Sequence, residues 1–154
     1  MAAMRAAGDD AIGCKVRQVS HALAARGHIV HEYLFTTTPT RSLNYQNLSQ
    51  LGAFHGAEEP FAFGDGFELA TPAERALATT MGCYWRNFAH SGDPNVGAAP
   101  NAAPCGVPWP RFGKKPPAQA TLVLGTNASS GGVHVTVGLK KSQCKAFHPT
   151  EEAD

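Results

Sequence analysis

Residues 51–64 read Leu51-Gly52-Ala53-Phe54-His55-Gly56-Ala57-Glu58-Glu59-Pro60-Phe61-Ala62-Phe63-Gly64. Glycines bracket His55 at positions 52 and 56, and Glu58 follows three residues later. A histidine in a loop bracketed by glycines is well placed to be held at a site while moving little. Histidine is the side chain whose ordinary pKa lies nearest neutrality, so a histidine so presented is a candidate general base. From the residues alone a plain loop histidine remains the competing reading.

Upstream, Ile29 to Phe35 is short, β-branched and aromatic, and is predicted to be a strand buried on both faces. Such a strand belongs inside a large sheet. Few other strands are available in this chain to flank it. From Asp9 to Gly27 the pattern is helical. Ile12, Val16, Val19 and Leu23 share one face, Asp9 or Asp10 is placed to cap the start, and Gly27 to stop the end. Cys14 lies roughly opposite that apolar stripe. The helical pattern follows the opening residues at once, as expected of a chain that begins partway through a larger protein. The opening MAAMRAAGDD has no apolar core and is not read as a secretory signal.

Downstream, the stretch from Thr36 to Gly66 is predicted to be mostly loop. Thr71-Pro72-Ala73-Glu74 then forms a capping box with proline at the first helical position. Leu77, Met81, Tyr84, Trp85 and Phe88 make the apolar face of the helix that follows, and Gly92 and Pro94 stop it. The helical spacing of Tyr84, Trp85 and Phe88 favours core packing over a ligand box. Asn95 to Pro117 is expected to be an irregular surface segment. Thr121–Leu124 and Val133–Val137 read as an antiparallel hairpin around Ser129-Ser130-Gly131-Gly132. The tail carries Cys144 and Phe147 and ends acidic.

The chain has 154 residues, enough for one domain with a modest core. A formal net charge of +1 provides no field that would recruit nucleic acid or an anionic membrane. No apolar run is long enough to span a bilayer. Four cysteines, Cys14, Cys83, Cys105 and Cys144, lack the close spacing of a zinc or redox pair, and their number permits disulfides without choosing among three pairings. His28 and His31, three apart on an extended segment, point to opposite faces, so no metal is expected there, and no cofactor is expected either. Sequons occur at Asn47 and Asn127.

The segment around His55 resembles the histidine segment of type-B carboxylesterases and cholinesterases, roughly G-x-x-H-G-x-E followed by an aromatic-rich F-G end. Cys83-Tyr84-Trp85-Arg86-Asn87-Phe88-Ala89-His90-Ser91-Gly92-Asp93-Pro94-Asn95 is similar to that family's Y-W-x-x-F-A-x-x-G-x-P-N. Val107-Pro108-Trp109-Pro110 resembles its W-P segment, and Thr121–Leu124 its closing strand. The order and approximate spacing agree over nearly the whole chain. The resemblance implies an α/β class chain: the C-terminal portion of an α/β-hydrolase fold, with helix, buried strand, histidine loop, helix and hairpin, an incomplete sheet, and one partial domain over 1–154.

It implies that His55 is the catalytic histidine, accepting the serine proton and returning it to the leaving alcohol. Glu58 would be a supporting carboxylate of the loop rather than the triad acid. Cys14, on the helix before the histidine, would pair with Cys144 in the tail. From its place on the helix Cys83 reads as a small buried residue, and Cys105, in the Pro-rich loop, as an exposed one. The parent family is often secreted, although localisation is not legible here.

Two members of the triad are missing. The nucleophile elbow places serine between glycines two before and two after it, and no serine here has both; Ser91 comes nearest, with Ala89 where the first glycine belongs. In this fold serine and acid precede histidine, so both lie upstream of what this chain contains, together with the oxyanion hole. Two readings stay open. One is a segment of a carboxylic-ester hydrolase, inactive alone, whose partners are the missing N-terminal part and a small carboxylic ester. The other is a non-catalytic cholinesterase-like interaction module.

Overall fold

The computed structural model describes residues 8–42, 48–66, 68–99, 101–113, 118–126 and 131–148. The opening residues 1–7, both sequon asparagines, the Ser129-Ser130 part of the turn and the acidic tail 151–154 lie outside the described residues. A π-helical segment, Asp9–Cys14, runs into α1 (Lys15–Ala25). Then follow β1 (Glu32–Phe35), α2 (Leu48–Leu51), α3 (Glu59–Phe63), α4 (Pro72–Ser91), β2 (Ala120–Leu124), β3 (His134–Val137) and α5 (Lys141–Phe147). No helix of the described residues is long and apolar enough to cross a membrane.

The three strands form one sheet in the order β1-β2-β3. Residue pairs Glu32–Thr121 and Thr36–Leu124 increase together, so β1 and β2 are parallel. Gly138 and Gly132 donate to Gln119 and Thr126, so β2 and β3 form the expected antiparallel hairpin. The fully buried strand is β2, not β1: all five β2 residues are buried, whereas Tyr33 is partly exposed and Ile29 lies outside the strand and is exposed. The reason is topological. Among the described residues β2 has a neighbour on each edge, while β1 is paired on one edge only.

The chain divides into two compact units. The first takes the chain up to Glu32, Pro110–Thr121, and the chain from Thr136 on. In it the helix carries the expected apolar stripe on its outward side. The stripe faces solvent, with Ile12, Val16, Val19 and Leu23 exposed by 57%, 47%, 57% and 39%, while Cys14, Arg17 and Ser20 are buried. The inward side is set by long-range partners. Cys14 is joined to Cys144, and the Arg17 guanidinium donates to Gln119 Oε1 at 2.6 Å and to the Leu139 carbonyl at 3.3 Å. Asp9 and Asp10 do not cap the helix; they pair with Lys140 and His148. Gly27 does stop it, at φ +85°, with Gly27 donating to Ala24 and His28 to Leu23, the paired bonds of a Schellman end.

The second unit, Tyr33–Trp109 with Leu122–Val135, holds an apolar core of Phe61, Leu69, Leu77, Ala78, Met81, Tyr84, Trp109, Leu122 and Leu124. α4 starts on the expected capping box. Glu74 donates its N–H to Thr71 Oγ1 at 3.2 Å, and Thr71 donates its N–H to Glu74 Oε2 at 2.8 Å. The helix ends at Gly92 with φ +74°. Leu77, Met81 and Tyr84 face the core as expected, but Phe88 is 51% exposed, and Asn87 takes a buried place instead. The loop from Thr36 to Gly66 is less irregular than expected, since it contains α2 and α3.

The buried Glu74 carboxylate also reaches back to that loop, accepting from the Thr40 N–H at 2.7 Å. Burial pushes its pKa up, but the hydrogen bonds from Thr40 and Thr71 outweigh burial and hold it below the usual glutamate value. A lowered folded pKa contributes stability above the unfolded pKa, and that contribution fades as pH falls through the folded value. Glu74→Gln puts an amide NH₂ against donors at one end, and is expected to cost about 2 kcal/mol at pH 7. Urea unfolding at pH 7 and at about pH 3 checks this. The difference between wild type and variant shrinks in acid; a constant gap would refute the assignment.

Candidate functional site

His55 occupies the tip of a turn in the second unit. Ala57 donates to the Phe54 carbonyl at 3.0 Å, so Phe54 to Ala57 close a four-residue turn with His55 and Gly56 at its centre. Gly56 has φ +84°, a value that the third residue of such a turn takes readily only as glycine. This is the local reason for the His-Gly pair. Glu59 then donates to Gly56 at 3.1 Å, and the chain passes into α3, which ends at Gly64 in the left-handed region. The imidazole is exposed, and among the described residues it has no hydrogen-bond partner.

An open cavity of about 420 Å³ lies beside it, lined by His55, Phe54, Phe63, Pro39, Glu59 and Asp65 among others. Glu58 is the residue just ahead of α3 and is half-buried; its carbonyl accepts from Phe61 and Ala62. The Tyr33 phenol is pushed above its ordinary pKa, first by burial and then by the nearby Glu58 carboxylate. Cys14 and Cys144 belong to the other unit, 5.4 Å apart at Cα and disulfide-bonded. Elsewhere His21 packs edge-on against Phe112, His31 Nδ1 meets the Pro110 carbonyl, and His148 pairs with Asp10. Among the described residues no trio of His, Cys, Asp or Glu is gathered as metal ligands would be.

Behind the histidine turn stands a scaffold that sequence reading caught only in part. Cys83 and Cys105 form a second disulfide, which corrects the expectation of one buried and one exposed free cysteine. The bond ties α4 to the Pro-rich segment. Asn95 and Trp109 exchange two hydrogen bonds, 2.8 Å from Asn95 Nδ2 to the Trp109 carbonyl and 2.7 Å from the Trp109 N–H to Asn95 Oδ1. The buried Asn87 amide donates to the Pro94 carbonyl, and the Tyr84 hydroxyl donates to the Val107 carbonyl. Trp109 is thereby held against Tyr84, Trp85 and Tyr33. The segment expected to be an irregular surface loop is therefore well tied down. Its signal was present in the ordered Pro-Asn and Trp-Pro pairs, since an asparagine side chain can satisfy both backbone groups of one distant residue.

Ser91 is no nucleophile elbow. It sits at the end of α4, donating to the Asn87 carbonyl and accepting from the Asp93 N–H, the work of a turn-forming hydroxyl.

The sequence model of the carboxylesterase family matches residues 1–147. The chain is 34% identical over 92 residues to mouse (Mus musculus) bile salt-activated lipase, covering 58% of this chain and 15% of the lipase. It is 33% identical over 119 residues to the acetylcholinesterase of Bungarus fasciatus, covering 75% of this chain and 18% of that enzyme. It is 42% identical over 65 residues to carboxylesterase 4A of Bos taurus, covering 41% and 10% respectively. The matched stretch thus spans less than a fifth of the length of these relatives.

Proposed function

The chain belongs to the carboxylesterase family, and from that membership we propose that it is a C-terminal segment of a serine carboxylic-ester hydrolase with His55 as general base. That family has the α/β-hydrolase fold, and the mixed three-stranded sheet with its helices is a partial α/β arrangement consistent with it. Residues 1–154 form one partial domain. The observation that carries the reading is the His55 turn: an exposed imidazole on a Gly56 corner, opening onto a cavity, with no partner among the described residues. A general base of a triad needs a hydroxyl on one side and a carboxylate on the other.

In the intact hydrolase His55 takes the proton of the serine hydroxyl as its oxygen attacks the ester carbonyl. The imidazolium then gives that proton to the departing alkoxide, leaving an acyl-serine. Water repeats the exchange in reverse order and releases the acid. Substrates are carboxylic esters of the general form R–CO–O–R′. Glu58 is a supporting carboxylate of the loop. The rest of the hydrolase domain supplies nucleophile, acid and oxyanion hole, and the isolated chain hydrolyses nothing.

The isolated chain is expected to give p-nitrophenyl butyrate turnover no faster than buffer. A hybrid in which it replaces the matching segment of mouse bile salt-activated lipase is expected to turn over the ester. Turnover by the isolated chain that disappears in His55→Ala would overturn the first expectation. A soluble hybrid without turnover would overturn the second.

A further inference from the structure

We propose that the Cys83–Cys105 disulfide is a site of reversible thiol–disulfide exchange, opened by a small thiol on the folded protein while the Cys14–Cys144 disulfide stays closed. The co-reactant is a monothiol of the glutathione class. The inference does not depend on the ester chemistry assigned to His55.

The two bonds differ in access. Cys14 and Cys144 are 1% and 2% exposed, whereas Cys83 and Cys105 are half-buried. Cys105 lies between Pro104 and Gly106, both exposed. Thr79 and Arg86, four before and three after Cys83 on α4, are exposed too, so solvent reaches this side of the helix. Exchange requires a thiolate to reach a sulfur of the bond. The second disulfide offers that approach in the folded state, and the first does not.

The polar surroundings choose which sulfur is attacked. The buried Asn87 amide donates to Cys105 Sγ at 3.1 Å as well as to the Pro94 carbonyl. Such a donor stabilises a thiolate more than a neutral sulfur, so Cys105 is the better leaving group and Cys83 is attacked. The small thiolate bonds to Cys83 Sγ, the S–S bond breaks, and its electron pair leaves on Cys105 Sγ. A second small thiolate then attacks the small thiol's own sulfur in the mixed disulfide. This releases Cys83 as a thiolate and the small molecule as its disulfide. The two protons given up by the small thiols end on Cys83 and Cys105. Reclosure follows from what stays in place. The Pro-rich segment is pinned on one side of Cys105 by Asn87 on Pro94, and on the other by Tyr84 on Val107 and Asn95 on Trp109. The paired Cα atoms are 5.5 Å apart, a span that suits a disulfide, so the two thiols remain within reach of one another.

The test holds the chain in reduced glutathione at neutral pH without denaturant. Samples are quenched in acid at intervals, alkylated and mapped by peptide mass. Cys83–Cys105 is expected to open about tenfold faster than Cys14–Cys144, or more, with the helical circular dichroism retained. The first glutathione adduct is expected on Cys83, and transfer to oxidised glutathione is expected to restore the same pair. The lipase hybrid is expected to show the same order of opening, which keeps the measurement decisive for a chain that does not stay soluble alone. Opening of Cys14–Cys144 at an equal or higher rate overturns the proposal, as does reduction of Cys83–Cys105 only in urea. Mispaired bonds on reoxidation overturn its reversibility, and an adduct found first on Cys105 overturns the part given to Asn87.

Discussion

Replacing His55 with alanine in the lipase hybrid is expected to lower kcat by about four orders of magnitude or more, with KM little changed. The expectation has three physical parts. The imidazole is exposed and makes no hydrogen bond among the described residues, so its loss removes no packing and leaves the turn intact. The turn is held by backbone bonds, Ala57 to Phe54 and Glu59 to Gly56, which alanine preserves. What disappears is proton transfer in the transition state, an interaction absent from the ground-state complex, so kcat and kcat/KM fall together. Gly56→Ala provides the contrast. Its φ of +84° is strained for any residue with a Cβ, so the base remains but is displaced, and displacement of about 1 Å costs roughly a hundredfold. A His55→Ala hybrid with more than a tenth of wild-type kcat would remove His55 from the mechanism. A drop in yield comparable to the drop in rate would show a structural role instead.

How much of this was legible in the residues varied with the range of the interaction. The Thr71–Glu74 capping box and the Gly27 and Gly92 stops were read in place, because each is decided within a single turn of chain. The hairpin was read because two β-branched runs straddled a glycine turn. The apolar face of the first helix was read, but not the direction in which it points. Periodicity reveals that an apolar face exists and leaves open what that face meets. Here the inward side was decided by partners more than a hundred residues away, Cys144, Gln119 and Leu139.

Burial of β1 was overestimated for a related reason, since its neighbours determine burial and only one edge is paired among the described residues. α3 went unseen because five residues containing Pro60 are too short to show a period. At the site, His55 and its flanking glycines were read, but not the four-residue turn they make. The Cys83–Cys105 bond and the Asn95–Trp109 pair were not read either, because the choice of partner among four cysteines or several loop carbonyls is made by the fold.

Cys14→Ser is expected to destabilise the chain by up to about 5 kcal/mol, more than the loss of Cys83. On the chain-entropy account, a cross-link narrows the unfolded ensemble according to the loop it closes. The Cys14–Cys144 bond spans 130 residues and Cys83–Cys105 spans 22. The account assigns about 5 and about 3 kcal/mol respectively. Local context widens the gap. The second unit has an apolar core, and its Pro-rich segment remains anchored by Asn95–Trp109 and Tyr84–Val107 when Cys83 is removed. The helix of the first unit turns its apolar stripe away from the protein, so it has little burial to fall back on. Its remaining ties include the Arg17 bonds, the His21–Phe112 ring contact and the Asp9–Lys140 and Asp10–His148 pairs, and partly exposed ion pairs of this kind contribute at most about 1 kcal/mol each.

Urea unfolding of Cys14→Ser is therefore expected to show a lower midpoint together with a steeper slope, as the uncrosslinked unfolded chain exposes more surface. Limited proteolysis should cut first in the first helix. Non-reducing peptide mapping of the wild type should recover the Cys14 and Cys144 peptides as one species. Free thiols at both positions, or a larger loss from Cys83→Ser than from Cys14→Ser, would show that the long cross-link does not hold this helix in place.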